Sequence, residues 1–317
     1  MIDILSYVIF FFIICSFYII SSLGLNIQYG FTGMFNVGIA GFFAVGAYTS
    51  AILTGPEYAD TIFGGFQLPI IFGWLCAIAV SGLAGVLVGL VTLRLREDFL
   101  AISTFGIAIC IQLVALNSES VTRGPNGLYA IPKPFSRFLD SAFMSNLIYL
   151  IICIMTIVAI YYALERVVKS PWGRVLRSIR EDEVAAEALG KNVFMYRLQA
   201  FVLGCGIMGL AGAMYANFVR FISPQDFLPI FTIQVYVMLI VGGKGNNLGA
   251  IVGAIVIWAL WSASDSLINF IVTPDYQTQA AALRIIIVGM VLVLMLLFKP
   301  SGILPEKKHL SSELFQC

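Results

Sequence analysis

Apolar residues fill long stretches of this chain, and charged residues stand almost only between them. No charge occurs across positions 4–56, room for two membrane helices at about 20 residues each. Further apolar runs cover 61–93, 99–118, 141–164, 198–219, 227–243, 245–264 and 280–298, the last interrupted only by Arg284. The pattern predicts about nine crossings, of which a shorter one could be re-entrant. Continuous apolar runs exclude a β-barrel, whose strands alternate in short segments. The expected fold is therefore an all-α polytopic membrane protein with 8–9 helices, about 20 residues each. The polar segments between the runs are too short to hold a separate core, so residues 1–317 read as a single transmembrane domain.

Between the first two runs, Asn26-Ile-Gln-Tyr-Gly-Phe-Thr-Gly33 is polar and interrupted by glycine. Two readings fit. It is a short loop between spans, or it is a broken helix beside a transport path. Non-helical backbone at membrane depth survives only when protein or a wet cavity surrounds it.

Charge changes the picture at one place. An ionised side chain at the bilayer centre costs about 2.5–3.5 kcal/mol, so the densely charged stretch 165–197 lies in water. Arg166, Lys169, Arg174, Arg177 and Arg180 follow one another there with no acid among them. The positive-inside bias assigns this stretch to the cytoplasm. Arg94, Arg96, Lys244 and the tail 299–317, with Lys299, Lys307 and Lys308, fall on the same side. Counting crossings then puts the acidic 57–60, the loop 118–142, and segments 220–226 and 265–275 outside, and the N-terminus outside too.

Within the charged stretch, Ser178-x-x-Glu181 has the form of a capping box, and Gly190 is a natural C-terminal stop. One helix is expected over 178–190, with about 11 residues between its ends and a length of about 16 Å. Val184, Ala185, Ala188 and Leu189 share one face by their spacing. The acids Glu181, Asp182, Glu183 and Glu187 flank that face and disfavour rest on anionic lipid. A groove on another protein suits it better.

Composition agrees with the membrane reading. Hydrophobic residues make up 60% of the chain and charged ones 11%, against about 25% charged in soluble domains. A net charge of +1 gives no footing for nucleic acid. The six cysteines are scattered, five of them in apolar runs, and the single histidine is His309. They read as small buried hydrophobes rather than metal ligands. Gly204-Cys-Gly-Ile-Met-Gly209 matches a dinucleotide fingerprint but lies inside an apolar helix, so membrane packing is the expected role. Gly85 with Gly89, and Gly249 with Gly253, suggest further close helix contacts. Gly242-Gly-Lys-Gly-Asn-Asn247 fails the P-loop spacing. It reads as a tight cytoplasmic turn, with a second contact to a cytoplasmic partner as the alternative. The N-terminus lacks a basic n-region and cleavage site and reads as a retained span.

Glu183-Val-Ala-Ala-Glu-Ala-Leu-Gly190 resembles the EAA-type coupling segment of bacterial ABC importer permeases. Leu93-Arg-Leu-Arg-Glu-Asp-Phe-Leu-Ala-Ile102, Thr122-Arg-Gly-Pro-Asn-Gly-Leu128, Trp172-Gly-Arg-Val-Leu-Arg-Ser-Ile-Arg-Glu181 and Gly209-Leu-Ala-Gly-Ala-Met-Tyr215 resemble the LivM-type permease of branched-chain (or neutral) amino-acid importers. So do Val241-Gly-Gly-Lys-Gly245 and Pro300-Ser-Gly-Ile-Leu-Pro305, and the matches run in order over nearly the whole chain. Two departures stand out. The family often has Ser-Leu-Gly-His-Ala where this chain reads Phe35-Asn-Val-Gly-Ile-Ala40, and Arg123 stands where a second glycine is common.

The resemblance implies a permease subunit of a binding-protein-dependent importer in the bacterial inner membrane. Its partners would be a second, H-type permease, two ATPase subunits and a periplasmic amino-acid-binding protein. The chain itself would be no enzyme and carry no cofactor, with ATP and Mg held by the ATPases. Ser178, Glu181, Glu183, Val184, Ala185, Glu187, Ala188, Leu189 and Gly190 would form the ATPase-coupling segment. Polar side chains within the spans, Asn26, Gln28, Asn36, Gln112, Gln234 and Arg284, are candidates for the translocation path, each with helix-to-helix bonding as the alternative. Arg284 calls for a partner, and Asp265 and Asp275 lie on its side. The loop 118–142 would meet the binding protein or cap a permease dimer. The departures leave the solute open, including urea or other amides. A self-sufficient secondary transporter would need ionisable groups mid-span, and this chain has almost none.

Overall fold

Backbone groups inside a bilayer must bond within their own segment, so each apolar run among the described residues contributes helix. The computed structural model describes residues 2–58, 61–62, 64–135, 141–271 and 301–306, with single helical positions at 286, 289, 290, 293 and 297. In chain order come α1 (Ile2–Leu25), a π-helical turn (Asn26–Phe31), α2 (Ile39–Thr54), α3 (Ile70–Thr92), α4 (Glu97–Asn117) and the short α5 (Glu119–Thr122). Next are α6 (Ala142–Lys169), α7 (Pro171–Glu181), α8 (Glu183–Ala188), α9 (Val193–Val219), α10 (Pro229–Gly242) and α11 (Asn247–Ile271). Among the described residues, six helices are long and apolar enough to cross a membrane, and α2 and α10 are shorter apolar helices. The last expected crossing, 280–298, lies mostly outside the described residues, as do Arg284, Asp275 and the tail beyond Glu306.

The long helix α9 is the spine. Its 27 residues span about 40 Å, and α1, α2 and α3 all pack on it. Glycine permits this. A Cβ on Gly46 would lie 2.0 Å from the Gly209 carbonyl oxygen, and one on Gly212 would lie 1.9 Å from that of Phe43. Gly204 faces Gln28, and Gly85 faces Cys205. The glycines of the false dinucleotide motif are packing glycines, as their apolar setting predicts. Gly253 approaches Met238 and Gly242 in the same way, joining α10 to α11. Cys15, Cys153 and Cys205 are buried, but Cys110 is exposed on α4, so burial does not extend to every cysteine in an apolar run.

The two ends of α9 collect different segments. At its Val219 end, Leu128 and Tyr129 (β1) pair antiparallel with Ile222 and Phe221 (β2), and the Ile62 amide donates to the Ser120 carbonyl. At its Val193 end lie α7, α8, the π turn, the α10–α11 turn and residues 301–306. This is the sorting that charge parity predicts: the described parts of 57–60 and 118–142, with 220–226, at one end, and 165–197 with Lys244 at the other.

Candidate functional site

At the second end the chain makes an elbow. Ser170 breaks α6, and Pro171 restarts the helix as α7. The corner needs Gly173, because a Cβ there would lie 2.1 Å from the Val168 carbonyl oxygen. Leu176 and Ile179 bury one face of α7. The expected single helix over 178–190 is not what forms. Ser178 sits inside α7 and its hydroxyl donates to the Val175 carbonyl at 2.8 Å. Glu181 is the last residue of α7, and its carboxylate pairs with Arg180 at 3.0 Å rather than reaching back to a cap. Asp182 has extended backbone (φ −155°) and breaks the helix, and its carboxylate accepts from the Ala185 amide at 3.0 Å to cap α8. The apolar period of α7 already runs through Ser178, and a carboxylate is a strong cap acceptor, so Asp182 takes the role. Gly190 stops the helix as expected: its φ is +75°, and the Lys191 amide donates to the Ala186 carbonyl at 3.2 Å in the manner of a Schellman end.

The six residues of α8 touch the body at few points. Ala186 is buried against Ile179 and Val193, and Glu183 pairs with Arg197 of α9 at 2.8 Å. Val184 and Leu189 are 76% and 79% exposed, and Ala185, Glu187 and Ala188 are exposed beside them. An apolar knob thus projects from a short, anchored helix. Ala186 and Arg197 escape sequence reading because their roles depend on neighbours outside α8, and Asp182 does so because Ser178 offers a rival cap.

Arg180 reaches from the elbow into the membrane domain. One guanidinium nitrogen donates to the Gly30 carbonyl, at the end of the π turn that continues α1. The other lies 2.8 Å from Glu306 and 3.0 Å from Glu181. A cation at a helix C-terminus meets unpaired carbonyls and the negative dipole end. Thr32 completes the set by donating to the Gln28 and Ile27 carbonyls.

Beyond the π turn the helix does break. Gly33 is left-handed (φ +76°), and the backbone runs non-helically until α2 starts at Ile39. Three amides at that start find partners inside the protein. Val37 donates to Thr104 Oγ1 at 3.0 Å, Gly38 to Asn36 Oδ1 at 2.9 Å and Ala40 to Thr232 Oγ1 at 3.1 Å. The Tyr236 hydroxyl donates to the Asn36 carbonyl at 2.9 Å. The helix break anticipated at 26–33 therefore sits a few residues later, at 32–38, and is clad in protein.

Asn26, Gln28 and Asn36 are all fully buried. Gln28 Nε2 donates to the Phe201 carbonyl at 2.7 Å, and its Oε1 accepts from Asn36 Nδ2 at 2.8 Å. Asn26 accepts from the Gly245 amide and donates to Asn247, both at 2.9 Å, and Asn247 donates on to Glu165 at 3.1 Å. Asn36, the departure from the family stretch, accepts from the Gly38 amide just before α2 and holds Gln28 at once. Gln112 donates to the Pro224 carbonyl at 3.1 Å, and Gln234 accepts from the Tyr18 hydroxyl at 2.8 Å. Arg284 lies outside the described residues, so no geometry joins it to these. The Gly242–Asn247 stretch is a tight turn, with Gly243 and Gly245 at φ +117° and +79°.

The family model for the branched-chain amino acid transport system permease component matches residues 7–296. The chain belongs to that permease family. It is 30% identical to the high-affinity branched-chain amino acid transport system permease protein LivM of Salmonella typhimurium, over 91% of this chain and 68% of that one. It is 27% identical to a probable LivM of Methanocaldococcus jannaschii, over 96% and 94%. It is also 25% identical to the guanosine ABC transporter permease protein NupQ of Bacillus subtilis, over 71% of each. No solved structure gives a significant match.

At its other end the permease is stitched by Asn217, which sequence reading passed over as one polar letter in α9. Its side chain accepts from Ser50 at 2.8 Å and Trp74 at 2.9 Å, and donates to Thr54 at 3.3 Å and the Pro132 carbonyl at 2.9 Å. One amide thus ties α2, α3 and α9 to the 128–135 segment. Each such bond is worth roughly 0.6 kcal/mol in a membrane protein, so Asn217→Leu should cost about 2 kcal/mol and lower the thermal midpoint in detergent. An unchanged midpoint would remove this role. The nearby Lys133 donates to Asn146 and lies over the Phe218 ring. Burial, with Arg220 nearby, pulls its pKa below the usual lysine value. Arg123 has φ +60°, a left-handed position, which accounts for glycine being common there. Its guanidinium lies over Tyr58 and Tyr129, holding the loop 118–131 onto its own chain.

Proposed function

We propose that this permease works in a bacterial inner membrane as one half of the translocation unit of a binding-protein-dependent importer for branched-chain or related neutral amino acids. Its partners are a second, non-identical permease, two ATPases that hold ATP and Mg, and a periplasmic binding protein. The observation that carries this reading is the apolar knob Val184/Leu189 on α8, anchored to the body and exposed at its tip. It suits a groove on a cytoplasmic ATPase, entered as a helix enters a cleft.

ATP binding would draw the two ATPases together and move the elbow as a rigid body. Arg180 would pass that motion to Gly30 and so to the π turn and the break before α2. ATP must bind the moved state better than the resting one, or no net change follows. The buried amides Asn26, Gln28 and Asn36 hold the break in register, and neighbouring groups contact the solute as the break shifts. Solute selection lies mostly with the binding protein.

Reconstitution of the full complex in liposomes tests this. Uptake should collapse when ATP is depleted while ion gradients are held. Uptake that persists without ATP overturns the proposal and favours a secondary transporter. A different small solute, a nucleoside, is the second reading, supported by the likeness to a guanosine permease. Competition of labelled leucine uptake by leucine or guanosine separates the two.

A further inference from the structure

We propose that Glu306 is a positioning residue for energy coupling, clamping the elbow to the α10–α11 turn so that motion of α8 reaches Gly30. The inference rests on the ATPase-docking reading of α8 above.

The clamp has three parts. First, the Glu306 carboxylate lies between two arginines of α7: Arg180 at 2.8 Å, and Arg177 at 3.1 Å in an ionic contact without hydrogen-bond alignment. The three side chains are only 20–30% exposed, so water screens them less than it does surface pairs. Second, the segment carrying Glu306 is fixed to the body by backbone bonds. The Ile303 amide donates to the Val241 carbonyl and the Leu304 amide to that of Gly242, both at 2.9 Å. Gly302 packs so closely that a Cβ there would lie 2.5 Å from Gly243 Cα. Third, Arg180 uses its remaining nitrogen on the Gly30 carbonyl, and Arg177 lies over the Phe31 ring.

Glu306 therefore offsets the repulsion between two like charges one turn apart and fixes the arginine that touches the π turn. Without its charge, Arg177 and Arg180 repel each other, and Arg180 loses the partner that aims it. The elbow could still be pushed by a docked ATPase, but the push would no longer arrive at α1 in full. Glu181, 74% exposed at its side chain, is carried by α7 itself and cannot replace a carboxylate fixed to the α10–α11 turn.

The experiment uses the complete complex in liposomes, with ATP hydrolysis and leucine uptake measured together. Glu306→Gln should assemble with its ATPases and hydrolyse ATP at close to the wild-type rate, while uptake per ATP falls about tenfold, within the usual range of coupling effects. Glu306→Asp, which keeps the charge, should recover most of the lost ratio. A wild-type ratio in Glu306→Gln overturns the inference. So does an equal loss in both variants, or a parallel fall of hydrolysis and uptake, either of which marks a purely structural contact. Failure of wild-type uptake to depend on ATP would instead strike the importer reading itself.

Discussion

Replacing Val184 and Leu189 together by aspartate is expected to abolish ATP-driven uptake and release the ATPases from the purified complex. Both side chains are more than 75% exposed in the isolated permease, so the fold loses almost nothing. In the complex the change is large. Burying two aliphatic side chains contributes about 3–6 kcal/mol, and a carboxylate forced into an apolar groove costs more. A weakening of ATPase affinity by about a thousandfold follows from roughly 4 kcal/mol. Co-purification, uptake and the amount of inserted permease should be measured together. Retention of the ATPases at normal stoichiometry would show that α8 is not the dock. Gly190→Pro is a milder companion: proline cannot adopt the left-handed backbone at this position, and the amide bond to the Glu187 carbonyl is lost, so the knob should tilt without leaving the surface.

The second large effect belongs to the spine. Gly212→Leu is expected to leave no folded permease. A Cβ at this position would lie 1.9 Å from the Phe43 carbonyl oxygen, 2.8 Å from its carbon and 3.1 Å from the Ala47 amide nitrogen. These are backbone atoms of α2, so no rotamer change relieves the clash and the helices must separate. Overpacking a core usually costs about 1–3 kcal/mol when side chains can adjust; rigid backbone on both sides makes this case worse. Gly106→Leu is the matched control, since nothing lies within 4 Å of a Cβ there. Folded yield and thermal midpoint in mild detergent should be normal for Gly106→Leu and absent for Gly212→Leu. Comparable yields from the two would mean that α2 and α9 do not meet as described.

The difference between these glycines is invisible in the letters, for each is a glycine in an apolar helix. What the sequence does display is whatever acts locally or by exclusion. Charge cannot sit in lipid, so the ends of the helices, and which of them gather together, can be read from Arg94, the 165–197 stretch and Lys244. Gly190 is a local signal and ends α8 as expected. Ser178 misleads because two cap candidates lie four residues apart, and only the packing of Leu176 and Ile179 decides that α7 continues through it. The break before α2 is half legible: the polar run 26–33 marks its neighbourhood, but the partners that let the backbone leave the helix, Thr104, Thr232 and Tyr236, come from α4 and α10. Asn217 and Glu306 are illegible for the same reason. Their meaning is made by partners far away in sequence.

Glu306 has one more consequence, for the order of manufacture. The ribosome delivers the arginines of α7 long before it delivers the carboxylate that sits between them. Until then Arg177 and Arg180 lack the carboxylate between them, and nothing straps the elbow against the α10–α11 turn. A nascent permease can therefore expose α8 before the carboxylate that ties the elbow to the body has emerged and seated. An ATPase that docked on such a half-built transporter would push on an elbow not yet tied to the α10–α11 turn, and the push would be spent.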